Sequence, residues 1–128
     1  MRTVATIFVK YLNSTSAFYE ACFGLITVAD EPGDFRILES DEVALSLVQV
    51  PPEIAQTIVI ATPPRRRFEN PVKLGFVVHD MNETSKLIVG HGGLVDDSVW
   101  TFRGFQHRDF VDPEGNVGEL RASTVLNP

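Results

Sequence analysis

The sequence predicts an α+β chain made of two βαβββ modules whose sheets would face one another across a cleft. Shifted by 69 positions (78 − 9), the chain falls on itself: Val9 meets Val78, Asn13 meets Asn82, Thr15-Ser16 meet Thr84-Ser85, and Gly24-Leu25 meet Gly93-Leu94. The matches sit where a strand hands over to a helix and where that helix stops, so a supersecondary unit is repeated. Short alternating segments separated by turn residues follow each helix. With 128 residues, 44% of them hydrophobic, the chain has the size of one domain, 1–128, able to bury a real core.

Module one spans about 1–50. Thr3 to Lys10 alternates and is rich in β-branched residues, which predicts a strand. Asn13-Ser14-Thr15-Ser16 are cap-forming residues and mark a helix start, and Gly24 can take the left-handed conformation of a helix stop. Ala17, Phe18, Ala21, Cys22 and Leu25 give that helix an apolar face, with Tyr19 docking on the sheet. Ile26–Ala29, Phe35–Glu39 and Val43–Val50 then read as strands, divided by turns at Glu31-Pro32-Gly33-Asp34 and Ser40-Asp41-Glu42.

A linker, about 51–71, carries Pro51-Pro52, Pro63-Pro64 and Asn70-Pro71. Within it Ile54–Ala61 is apolar enough for an added strand or for an arm against a neighbouring subunit, and Arg65-Arg66-Arg67 is expected to be solvated. Module two, about 72–123, opens with a strand from Lys73 to His79. Asn82-Glu83-Thr84 start a helix over Ser85–Gly90, and Gly92-Gly93 end it. Leu94–Val99, Phe105–Val111 and Val117–Ala122 complete its strands, the last two joined through Asp112-Pro113-Glu114-Gly115-Asn116, a hairpin composition.

Bulk properties exclude several function classes. A formal charge of −6 argues against nucleic-acid binding, which needs a positive surface. No apolar stretch approaches membrane-spanning length and no export segment opens the sequence, so no membrane partner is expected and the cytoplasm is the expected location. Cys22, the single cysteine, is expected to fill core.

Two motifs carry a family resemblance: Ala17-Phe18-Tyr19-Glu20 with Phe23-Gly24-Leu25, and Asp109 through Asn116 with Glu119-Leu120. On these the chain resembles the vicinal oxygen chelate superfamily of glyoxalases, bleomycin-resistance proteins and extradiol dioxygenases. The resemblance implies a curled, mixed β-sheet around a ligand cleft, helices on the outer face, and usually a homodimer. It also implies metal positions at Val4 and Lys73 in the first strands and at Ser46 and Glu119 in the last strands. Of these only Glu119 is a competent donor, because valine and a protonated lysine cannot bind an ion and a serine hydroxyl is a poor substitute. No metal or other cofactor is therefore expected at the usual place. His79, His91 and His107 lack the spacing of a ligand pair; His91 suits a helix C-terminus, and His107 beside Glu119 would offer only a lone donor pair.

Alternation puts Lys73, Gly75 and Val77 on the face away from the helix, and Val117, Glu119 and Arg121 on one side of the last strand. Lys73 and Glu119 are expected to pair. The pair can be a structural ion pair, or a catalytic one in which Glu119 removes a proton beside a carbonyl and Lys73 stabilises the oxyanion. Trp100, Phe102 and Phe105, around Arg103 and Gly104, are expected to line the ligand site with His107, Phe8, Tyr11 and Ser46. An aromatic wall stacks on planar ligands and, near Asp96 and Asp97, would draw cations. Three functions follow. A metal-free protein binding a small molecule, as a homodimer, is preferred; a glyoxalase-type lyase or isomerase acting on an α-hydroxy or α-keto carbonyl substrate, with Glu119 as base and Lys73 or an unorthodox metal as electrophile, and a dimeric interaction module with a filled cleft, are the alternatives.

Overall fold

The computed structural model describes residues 1–124, which form two compact units divided between Ile60 and Ala61. In the first unit β1 (Thr3–Val9), α1 (Leu12–Phe23), β2 (Ile26–Glu31), β3 (Phe35–Glu39) and β4 (Val43–Gln49) follow in βαβββ order. The sheet runs β1-β4-β3-β2, with β1 parallel to β4 and the other pairs antiparallel. One βαβ-type crossover through α1 and two hairpins suffice to make it. The second unit repeats the plan with β5 (Leu74–Val77), α3 (Met81–Gly90), β6 (Leu94–Val95), β7 (Trp100–Phe102), β8 (Phe105–Val111) and β9 (Val117–Ser123). Its order is β5-β9-β8-β6, with β7 also paired to β8.

Each helix covers one face of its own sheet. Register places Ala5, Ile7, Leu38, Leu45 and Leu47 on one side of the first sheet, and α1 answers with Leu12, Thr15, Phe18, Tyr19 and Cys22, all buried at helical spacing. Phe18 packs edge-on against Tyr19, with centroids 5.0 Å apart. Cys22 is core filler as expected, and burial pushes its thiol up to about 12. In the second sheet Phe76, Phe110 and Leu120 share the α3 side with Ile88 of the helix.

Several boundaries differ from expectation. Asn13-Ser14-Thr15-Ser16 lie inside the first turn of α1, whose N-cap is Tyr11, without a side-chain cap bond. Their short side chains bond backward instead: Ser16 Oγ donates to the Leu12 carbonyl at 2.7 Å. Ala17 is exposed, because the buried stripe is displaced toward Thr15, Ser16 and Tyr19. The stop at Gly24 (φ 64) is as expected. In α3 the cap is Asp80, whose carboxylate accepts the Glu83 N–H at 3.0 Å, so the helix begins at Met81, not Asn82. Its end is a Schellman turn: Gly92 has φ 91 and the Gly93 N–H donates to the Ile88 carbonyl at 2.9 Å.

Ile54–Ala61 forms no strand; a short helix, α2 (Pro52–Ala55), opens the segment. The segment expected to link the modules is tied into both units, since Lys10 Nζ donates to the Ile58 carbonyl at 2.6 Å and the Arg67 N–H to the Gly115 carbonyl at 3.0 Å. The expected strand Leu94–Val99 leaves its ladder after Val95, where Arg108 Nε takes the Asp96 carbonyl. Trp100–Phe102 instead makes a hairpin with β8 around Arg103 (φ 51) and Gly104 (φ 79), two positive angles typical of a type I′ turn. Among the described residues no helix is long and apolar enough to cross a membrane.

Candidate functional site

The face of the second sheet away from α3 concentrates the chemistry. Cross-strand register sets Gly75 beside Glu119, Glu119 beside Asp109, Arg121 beside His107, and His107 beside Trp100. Residues so paired share a face. Lys73, one residue before β5, follows the same alternation and reaches across: its Nζ donates to Asp109 Oδ1 at 3.0 Å and stands 3.1 Å from Glu119 Oε2. The pairing of Lys73 and Glu119 is thus present, with Asp109 as an additional partner that sequence reasoning missed.

Glu119 is enclosed by donors. Its Oε1 receives Arg121 Nε at 2.9 Å and meets His107 Nδ1, while Oε2 faces Lys73. Burial alone would raise its pKa, but hydrogen bonds from His107, Arg121 and Lys73 outweigh that and hold the carboxyl at about 2. Lys73 shows the complementary balance: burial would lower its ammonium pKa, yet Asp109 and Glu119 prevail and raise it. A carboxylate with so low a proton affinity and both oxygens engaged is a weak proton acceptor near neutrality. Lys73 and Glu119 form an ion pair.

Arg66 completes the cluster. Expected in a solvated linker, it reaches Asp109 Oδ2 at 3.1 Å and Asp96 Oδ2 at 3.2 Å. Asp96, expected to draw a cationic ligand, is thus already paired. The aromatic residues lie alongside: Trp100 stacks on His107 with centroids 5.3 Å apart and rings 13° from parallel, and Lys73 Nζ is 5.7 Å from the Trp100 ring. Phe102 is tilted 6.2 Å from His107, whose Nε2 lies 3.2 Å from the Phe102 carbonyl. Phe105 is half-buried opposite Phe102, and Arg103 sits at the hairpin tip with its guanidinium 5.5 Å from the Phe102 ring.

The remaining expected residues belong to the first unit. Val4, Phe8 and Ser46 share the sheet face opposite α1, where Val4 and Phe8 are exposed and Ser46 is half-buried. Tyr11 is exposed at the start of α1, with Lys10 Nζ 5.5 Å from its ring. In the first unit Val4 has no donor atom and Ser46 only a hydroxyl; in the second Lys73 is a cation and both Glu119 oxygens are engaged. Among the described residues no group of three or more histidines, cysteines or acids is placed to hold a metal. The residues do not fit a divalent ion.

No family model and no curated protein matches the chain. Its structure is similar to solved ones. A glyoxalase/bleomycin resistance protein/dioxygenase family enzyme from Burkholderia phytofirmans PsJN aligns with TM-score 0.71 and 18% identity, over 94% of this chain and 96% of that one. A glyoxalase/bleomycin resistance protein from Albidiferax ferrireducens T118 gives 0.66 and 19%, over 94% and 96%. The fosfomycin resistance protein FosX from Listeria monocytogenes gives 0.68 and 17%, over 94% and 89%. The chain shares its fold with these glyoxalase/bleomycin resistance and FosX structures.

Proposed function

We propose that the chain is a small-molecule-binding protein of the glyoxalase/bleomycin-resistance fold that works without a resident divalent metal, taking a planar organic ligand against Trp100. The observation that carries this reading is the Lys73 ammonium held between Asp109 and Glu119, which uses up the donors an ion would need. Trp100 supplies the recognition surface. One indole face is backed by His107, itself fixed by Glu119 and the Phe102 carbonyl, while the residue stays 40% exposed. A rigidly backed aromatic ring costs little conformational entropy when a planar ligand stacks on it. A lyase or isomerase relying on Glu119 as base is disfavoured by the low proton affinity of that carboxylate.

Trp100 is the single tryptophan, so intrinsic fluorescence reads this surface directly. Titration with planar aromatic compounds is expected to change its emission saturably, and Trp100→Leu to weaken the same ligands by calorimetry. Emission that no compound alters, or affinity indifferent to Trp100→Leu, would sink the reading.

A further inference from the structure

The cluster is asymmetric in depth. Two of its acids are buried, Asp109 with 10% and Glu119 with 7% of the side chain exposed, and the cations on them are more open, Lys73 at 37% and Arg121 at 48%; the third acid, Asp96, is itself 48% exposed. The acids are also matched in number: Arg66, Lys73 and Arg121 are paired with Asp96, Asp109 and Glu119. Donor capacity is left over on the cationic side. Lys73 has three N–H groups and uses two on the acids, and Arg121 uses only Nε, leaving both terminal nitrogens without a protein partner among the described residues. A Cβ placed at Gly75 would stand 3.6 Å from Arg121 Nε, an ordinary contact distance, so the guanidinium lies directly over this glycine.

We propose that the terminal nitrogens of Arg121 and the remaining N–H of Lys73 form an anion site for the carboxylate of an aromatic acid whose ring lies against Trp100. This inference rests on the reading of Trp100 as the ligand platform. The free edge of a guanidinium offers two parallel N–H donors, the spacing of a carboxylate. A monoanion suits the site better than a dianion, because the three cations Arg66, Lys73 and Arg121 already face three carboxylates and the chain as a whole carries −6. Lys73 lies 5.7 Å from the Trp100 ring, which puts the anion site and the aromatic surface within one small ligand's length. The choice of an anion reverses the expectation drawn from Asp96 and Asp97.

The test compares three probes of one shape, naphthoate, naphthamide and naphthamidine, by calorimetry and Trp100 fluorescence on the intact chain. Naphthoate should bind roughly tenfold tighter than naphthamide, the scale of a charge-assisted hydrogen bond, and naphthamidine should bind most weakly. Arg121→Gln should bring naphthoate down to the affinity of naphthamide. Because the ranking of probes on the unaltered chain needs no variant, a destabilised Arg121→Gln does not rescue the idea. Naphthamide equal to naphthoate, or naphthamidine the tightest, would overturn the anion site while leaving the aromatic platform standing. If no probe binds or alters Trp100, the platform reading fails and this inference with it.

Discussion

Lys73 Nζ stands 3.1 Å from Glu119 Oε2, with a charged side chain where the resemblance to metal-binding relatives implies a ligand. The ammonium is a fixed positive charge in that position, and it satisfies the carboxylate without any ion. The same contact ties the start of β5 to β9 on the sheet face away from α3.

The first consequence concerns stability. Glu119→Ala removes the common acceptor of Lys73, Arg121 and His107, and is expected to cost about 2 kcal/mol in urea unfolding, the scale of a buried charged hydrogen-bonding group lost. Lys73→Met, at a more exposed position, should cost about 1 kcal/mol or less. A double-mutant cycle should return a positive coupling between the two sites, and strict additivity would show that the contact contributes nothing.

Acid should dissolve this cluster. The Glu119 pKa is depressed in the folded state, so its stabilisation is complete above the ordinary carboxylate value of 4.5 and is lost as pH falls toward about 2. Lys73 behaves oppositely: its raised pKa gives stability that is complete below 10.5 and is lost as pH rises beyond it. Unfolding free energies from pH 2 to 7 should fall on the acid side less steeply in Glu119→Gln than in the unaltered chain. Identical slopes would contradict the assignment.

Glycine replacement separates packing from conformation. Gly118 faces α3 beside Phe110, and an added Cβ would collide with the buried ring, so Gly118→Ala is expected to destabilise by about 1–3 kcal/mol. Gly90, in α3, has open space around an added Cβ and no positive φ. Gly90→Ala should therefore be neutral or stabilising by up to about 1 kcal/mol, and thermal melts of the two variants provide the comparison.

Replacing the helix cap tests a boundary the sequence contained but did not make obvious. Asp80→Ala removes the acceptor of the Glu83 N–H and should cost about 1 kcal/mol, while Asn82→Ala, inside the first turn, should cost much less. Chemical denaturation of both variants decides between the two starts of α3.

What was legible in the chain followed from short-range physics. Alternation located β1, β3, β4, β8 and β9, and Gly24 located the end of α1, because both depend on neighbours in sequence. Asp80 was readable too, since Asp80 and Glu83 have cap spacing, but Asn82 and Thr84 compete for the same role. Within the site, Phe105 and His107 were singled out although Asp109 is the next residue on that face of β8; the alternation that aligns them was available. Arg66 could not be found this way, because a loop residue reaches Asp109 only through tertiary structure. β7 was missed because Arg103-Gly104 is not among the commoner residue pairs of a type I′ turn.

Metal titration tests the central claim most directly. The chain, stripped with a chelator and then melted with manganese, nickel or zinc in turn, should show the same midpoint as without them and should retain less than stoichiometric metal after desalting. Stoichiometric retention of one of these ions with a raised midpoint, both abolished by Glu119→Gln, would mean that Lys73 yields its place to a cation and would contradict a metal-free ligand site.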